Sequence, residues 1–242
     1  MLTPLDAVST SFILIAIAAA FAVSASAGFG GSLILVPALA LMLGGKSGVA
    51  LASLLLAGNN VVKVFAYRRT MPYRAAVVVV GLVVLGALVG ARIFVWAPED
   101  VVAVAVIASF GLTFLVERFD LSRLRRLGGP LLALGAGLTS GFSGTSGPLK
   151  GLAVRSLNLN RAHVVGALSL VSLAGDATKA AVFTEAGMIS SRGYYLAAAS
   201  IPLMVVATFT GRRINREIGE RGFTGLFWLV MAGYTARLVV GL

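Results

Sequence analysis

The chain contains no cysteine and one histidine, and only nine of its 242 residues are acidic. Without cysteine it has no disulfide framework and no thiolate metal site, and His163 cannot form a metal site alone. Motifs for bound cofactors are also missing. Residues 28–33 lack the third glycine of a dinucleotide fingerprint, and residues 40–47 lack the first glycine of a phosphate-binding loop. We therefore predict no cofactor, no metal and no enzymatic reaction.

Hydrophobic residues make up 58% of the chain and charged residues only 12%, which is about half the charged share of a soluble domain. Several apolar runs of about 20 residues are long enough to cross a hydrocarbon core of about 30 Å. The composition predicts an all-α, polytopic membrane protein. The predicted spans are 47–67, 74–96, 99–117, 162–184, 193–211 and 222–241.

The net charge of +11 is carried mainly by arginines in the short loops between these runs. Their placement is typical of an orientation signal in a membrane protein and not of a nucleic-acid-binding surface. With these loops in the cytoplasm, the acidic turn at 99–100 faces outward. The apolar segment 12–23 resembles a signal peptide, but no basic residue precedes Lys46, so we interpret it as retained. The arginine-rich loops lie at 68–74, 118–126, 155–161 and 212–221.

Two glycine clusters interrupt the apolar segments, at 28–32 (GFGGS) and at 141–148 (GFSGTSGP). Each glycine costs a helix interior about 1 kcal/mol relative to alanine, and Pro37 follows the first cluster, so we expect broken helices there. Broken backbone at membrane depth is tolerated where protein buries it or where it lines a cavity. We predict two re-entrant helical hairpins, at 7–43 and 129–157, with the glycine clusters at their tips.

The two halves of the chain match each other residue by residue. Gly31 in the first cluster corresponds to Gly144 in the second, and N-x-x-K at 60–63 corresponds to D-x-x-K at 176–179. Each half contains one hairpin and three spans. Because three is an odd number of crossings, the second half enters the membrane from the opposite side, which predicts inverted repeats. The predicted repeats are 1–120 and 121–242.

Both tips are candidate anion sites. A broken helix presents free N–H groups and the positive end of a helix dipole, and both favour anions. Hydroxyl groups near the tips add hydrogen-bond donors. The alternative is that the glycines serve only close helix packing, which is our interpretation of Gly86 and Gly90. The predicted substrate-binding residues of the tips are Gly28, Gly30, Gly31, Ser32, Gly141, Ser143, Gly144, Thr145 and Ser146.

Ionisable residues inside predicted spans are further candidates, because charge is costly in a bilayer. Lys63 and Lys179 occupy matching positions, and we predict that both bind an anionic substrate. Alternatively, Lys63 extends to the membrane interface, and Lys179 pairs with Asp176 three residues earlier. Asp176 is also the predicted site of proton or cation coupling. Asn59 and Asn60 are predicted to bind substrate oxygens, because their amides both donate and accept hydrogen bonds.

These residues resemble the TauE/SafE family of sulfite and organosulfonate exporters. The resemblance rests on the two glycine clusters, on Val36 and Pro37 after the first cluster, on Asn59 and Asn60, and on the glycines of 86–90. It covers nearly the whole chain. It implies two related halves and the transport of small sulfur-containing anions such as sulfite or sulfoacetate. Ser32 stands where the family's first motif usually carries a glycine, and the second motif is less glycine-rich than usual. Both departures affect which anion the resemblance predicts as the substrate.

Sequence and resemblance together predict a secondary transporter of a small anion in the cell inner membrane. The hypothesis is alternating access, in which the anion binds between the two tips near the midplane and one repeat rocks against the other. The alternatives are a passive anion channel and a membrane subunit of a larger permease powered by a separate ATPase. The expected partners are the anion, the lipid bilayer and a coupling proton or sodium ion. No nucleic acid is expected as a partner. A homo-oligomer is compatible with the sequence.

Overall fold

The computed structural model describes residues 7–27, 30–118, 128–145 and 147–214, and all regular elements in these ranges are helical. The predicted span 222–241 lies outside the described residues, as do Gly28 and Ser146. A 3-10 turn, Arg68–Thr70, follows α3. The α-helices are α1 (Ala7–Ala27), α2 (Gly31–Leu43), α3 (Gly45–Tyr67), α4 (Tyr73–Trp96), α5 (Glu99–Arg118), α6 (Gly129–Ser143), α7 (Gly147–Arg155), α8 (Arg161–Glu185), α9 (Ser191–Ala199) and α10 (Ile201–Ile214).

Among the described residues, three helical segments are long and apolar enough to cross a membrane, namely Gly45–Thr70, Tyr73–Trp96 and His163–Glu185. The segment predicted as one continuous span over 193–211 is instead broken at Ser200, and α9 and α10 meet at an angle of 45°. Pro202 explains the break, because proline lacks the N–H of a helical hydrogen bond and its ring clashes with the preceding turn. Counted as one bent span, this pair is a fourth candidate.

The first hairpin consists of α1 and α2, which pack against each other. Gly30 precedes the first residue of α2, and its φ of 99° favours glycine. Pro37 lies inside α2, and the helix continues through this residue. Protein encloses the helix here: residues 33–39 are all buried, and a buried helix can accommodate the missing hydrogen bond without exposing backbone to lipid.

The second hairpin consists of α6 and α7, and α6 lies directly against α4. Glycines face each other across this interface. A Cβ atom added at Gly86 would lie 2.3 Å from the carbonyl oxygen of Leu134, and one added at Gly141 would lie 2.5 Å from that of Ala87. The interpretation of Gly86 and Gly90 as packing glycines is therefore confirmed, and Gly141 packs in the same way.

Replacing Gly86 with valine should markedly lower the thermal stability of the protein. The new side chain would meet the backbone of α6, which cannot move aside as a flexible side chain can, and we expect a loss of about 1–3 kcal/mol or more. The measurement is thermal unfolding of the purified protein in detergent. Gly81→Val on the same helix is the matched control, because a Cβ atom there meets nothing within 4 Å. Equal melting temperatures for the two variants would contradict the close packing of α4 on α6.

Candidate functional site

A small polar cavity lies beside the first glycine cluster. Its volume of about 20 Å³ is enough to hold ordered water. The backbone of Gly30 and Gly31 forms part of the wall. The remaining lining residues come from α1, α2, α3, α7 and α8, and only one of them is apolar. They are Ser24, Ser32, Leu56, Asn60, Lys150, Ser172 and Asp176.

The two tips meet beside this cavity. The hydroxyl of Ser32 donates a hydrogen bond of 3.3 Å to the hydroxyl of Thr145. The second tip turns at Gly144, whose φ of 79° again suits glycine. At the first tip, the first turn of α2 borders the cavity through Gly31 and Ser32, and N–H groups in a first helical turn have no partner within their own helix. Within this turn, the N–H group of Leu33 donates to the carbonyl oxygen of Gly30 at 3.0 Å, and the two residues before Leu33 are the ones that border the cavity.

Asp176 on α8 connects three parts of the site. Its Oδ1 lies 2.8 Å from Nζ of Lys179, and its Oδ2 accepts a hydrogen bond of 2.7 Å from the amide of Asn60 on α3. Lys179 also donates to the carbonyl oxygen of Gly144 at 3.1 Å. The predicted pairing of Lys179 with Asp176 is thus present, and it ties α3, α8 and the second tip together.

Lys63 is fully buried, with 0% of its surface exposed. Its Nζ donates a hydrogen bond of 2.9 Å to the hydroxyl of Ser24 on α1. The side chain therefore points into the protein and does not extend to the membrane interface. Lys63 and Lys179, which occupy matching positions in the sequence, each donate a hydrogen bond to a helical hairpin, Lys63 to Ser24 of the first and Lys179 to Gly144 of the second.

A third buried lysine, Lys150 on α7, is not among the substrate-binding residues predicted from the sequence. It is 6% exposed, lines the cavity, and donates a hydrogen bond of 3.4 Å to the hydroxyl of Ser172. The rule that ionisable residues in apolar segments are functional candidates could have found it, since α7 is otherwise apolar until Arg155. Ser24 and Ser172 carry no comparable signal, because single serines are common in membrane helices.

The structure brings some predicted residues to the cavity wall and places others elsewhere. Asn59 accepts a hydrogen bond of 3.0 Å from Thr208 and joins α3 to α10. The hydroxyl of Ser143 donates to the carbonyl oxygens of Thr139 and Thr145, so it stabilises the second tip. The predicted residues that line the cavity wall are Gly30, Gly31, Ser32, Asn60 and Asp176. The predicted residues that are hydrogen-bonded to the wall or to a tip are Lys63, Gly144, Thr145 and Lys179.

Apolar helices that enclose a charged and polar cavity define a multi-span membrane protein with an internal polar site. Comparison with known families agrees with this class. Residues 12–238 match the family described as "Sulfite exporter TauE/SafE", and the chain belongs to this family. Its members are transporters, so membrane transport of a small anion is the class of function. Searches of the curated proteins and of the solved structures found no match.

Proposed function

We propose that the chain is a secondary transporter of sulfite or of an organosulfonate such as sulfoacetate, working by alternating access in the cell inner membrane. One observation carries this proposal. In the described part of the chain, the buried charged residues are three lysines and one aspartate, all gathered at or beside the cavity. They are Lys63, Lys150, Lys179 and Asp176.

This charge imbalance favours an anion. Burying a charge is expensive unless an opposite charge compensates it. Asp176 is the single buried acidic residue in the described ranges, and it pairs with Lys179, so buried positive charges outnumber buried negative charges by three to one there. A bound anion would supply the missing negative charge, and the start of α2, the positive end of its helix dipole, would favour that anion as well. A cation would meet an excess of positive charge instead.

The contacts at the centre also support the proposed inverted repeats. The alignment that matches Gly31 with Gly144 matches the next residues, Ser32 with Thr145, and these two are hydrogen-bonded to each other. The second matched pair, Asn60 and Asp176, is hydrogen-bonded as well. Residues that contact their own counterparts lie on a two-fold axis, as in isologous interfaces. We therefore infer two halves related by such an axis, each with a re-entrant hairpin.

The packing suggests which parts move together. Gly86 and Gly90 of α4, in the first half, lie against the hairpin helix α6 of the second half. Gly211 of α10, in the second half, lies against α1 of the first, where an added Cβ atom would be 2.4 Å from the carbonyl oxygen of Ala22. Each hairpin is thus held by a helix from the other half. In our proposal these exchanged pairs rock as units and open the site alternately to each side.

The proposal predicts saturable anion transport by the purified chain alone. Reconstituted in liposomes, the protein should take up sulfite or sulfoacetate, saturate as the substrate concentration rises, and show counterflow when the liposomes are preloaded. A proton or sodium gradient should drive uptake if Asp176 couples transport to that ion. Protein-free liposomes are the control. Large currents that do not saturate would indicate a channel, and a chain inactive without another subunit would indicate part of a larger permease.

A further inference from the structure

We propose that Lys150 is the lysine that contacts the transported anion, and that Lys63 and Lys179 instead hold the two hairpins in place. This inference rests on the proposed anion transport, and it assigns the substrate to a residue that the repeat pattern does not single out. Lys150 lies on the short arm of the second hairpin, and the backbone of the first tip borders the same cavity.

The two repeat-matched lysines are engaged with the protein. Lys179 is held by Asp176 at 2.8 Å and by the carbonyl oxygen of Gly144 at 3.1 Å. Lys63 donates to Ser24 at 2.9 Å. Neither lysine is among the residues that line the cavity. An anion in the cavity would meet their electrostatic field without touching their amino groups.

Lys150 differs in each of these respects. It lines the cavity, and in the described ranges its Nζ makes one long hydrogen bond, 3.4 Å to Ser172, which also lines the cavity. An ammonium group has three donors, so most of its hydrogen-bonding capacity remains for a ligand. A buried ammonium that lacks partners costs stability. Such a group suits reversible anion binding, because a lysine already paired with a carboxylate has less of its charge and fewer of its donors available to a ligand.

The first tip provides another part of the wall of this binding site. The first turn of α2 borders the cavity through Gly31 and Ser32, and its N–H groups carry the positive end of the helix dipole. A small oxyanion between Lys150 and this turn would receive a charge-assisted hydrogen bond from one hairpin and backbone hydrogen bonds from the other. An anion bound in this way would contact both tips. Its binding would therefore be coupled to the distance between the first and the second tip.

The test compares anion binding by Lys150→Met, Lys150→Arg and Arg155→Gln with binding by the unmodified protein. Sulfite and sulfoacetate are the probes, and affinity is measured by calorimetry on protein purified in detergent. We expect Lys150→Met to weaken binding at least thirtyfold, and Lys150→Arg to keep much of the affinity because the charge is retained. Arg155→Gln should bind normally, since it removes the same unit of charge from an exposed position on the same helix.

Thermal unfolding without ligand separates a binding role from a structural one. If Lys150 serves binding, Lys150→Met removes a buried charge that makes only one long hydrogen bond, to Ser172, and should leave the melting temperature unchanged or raise it. A structural lysine would instead lower it. Anion binding by Lys150→Met that equals that of the unmodified protein would overturn this inference and leave the proposed transport intact. If the unmodified protein binds neither anion, the proposed function itself fails.

Discussion

Cysteines in place of both Ser32 and Thr145 are expected to stop transport when oxidised and to restore it when reduced. The two hydroxyl oxygens are 3.3 Å apart, so the side chains are close enough for a disulfide after a small adjustment. The bond would fasten one hairpin tip to the other. Alternating access requires the tips to change their separation or alignment, so a covalent link should reduce transport nearly to background.

The chain contains no cysteine of its own. The two introduced cysteines are therefore the only residues of the chain that can form a disulfide. Transport is measured in liposomes after treatment with an oxidant and again after a reductant. The two single variants, Ser32→Cys and Thr145→Cys, receive the same treatment and should keep their activity. Full transport by a protein shown to be completely cross-linked would mean that the tips do not move apart, and the rocking mechanism would then be wrong.

Asp176→Asn should destabilise the protein more than any other single change at the site. The carboxylate holds Lys179 at 2.8 Å, and both residues are buried, with 4% and 0% of their surfaces exposed. Removing one partner of a buried ion pair leaves an uncompensated charge, at a cost of about 3–5 kcal/mol. Replacing the other partner as well should recover much of this loss, so Asp176→Asn with Lys179→Met should be more stable than Asp176→Asn alone.

The measurement is a double-mutant cycle of thermal unfolding in detergent, which isolates the interaction between the two side chains. Glu185→Gln is the matched control, because this acidic residue lies at the exposed end of the same helix and its loss should have little effect. Additive losses for the two single variants would show that the pair contributes no coupling energy. If the double variant still transports the anion, and its transport rate does not change when a proton or sodium gradient is applied, this would support the proposed coupling role of Asp176.

Local features of the sequence were sufficient to predict most helices. α3, α4, α5 and α8 begin and end within two residues of the predicted apolar runs, because such runs must bury their backbone hydrogen bonds within a helix. The exception is the bend at Ser200. An apolar run alone implies a continuous helix, whereas Pro202 within this run disrupts the helical hydrogen bonds and causes the bend.

The candidate site was only partly predictable. Asp176 and Lys179 are three residues apart on one helix, so helix geometry alone brings them together. Pairs on different helices, such as Lys63 with Ser24 or Asn59 with Thr208, depend on how the helices pack. Gly141 shows the same limit. Its sequence context resembles a tip, yet α4 packs against it.

The sequence by itself determined the membrane class, the helical content and the places where glycine breaks a helix, because these follow from composition and from backbone preferences of neighbouring residues. The tertiary structure alone decided which polar groups share the cavity. Lys150 and Ser172 line it together with Gly31, which lies more than 100 residues earlier in the chain, although no local pattern links these residues. The physical reason is that buried charge finds its partners through packing between helices, and this packing brings together residues that are distant along the chain.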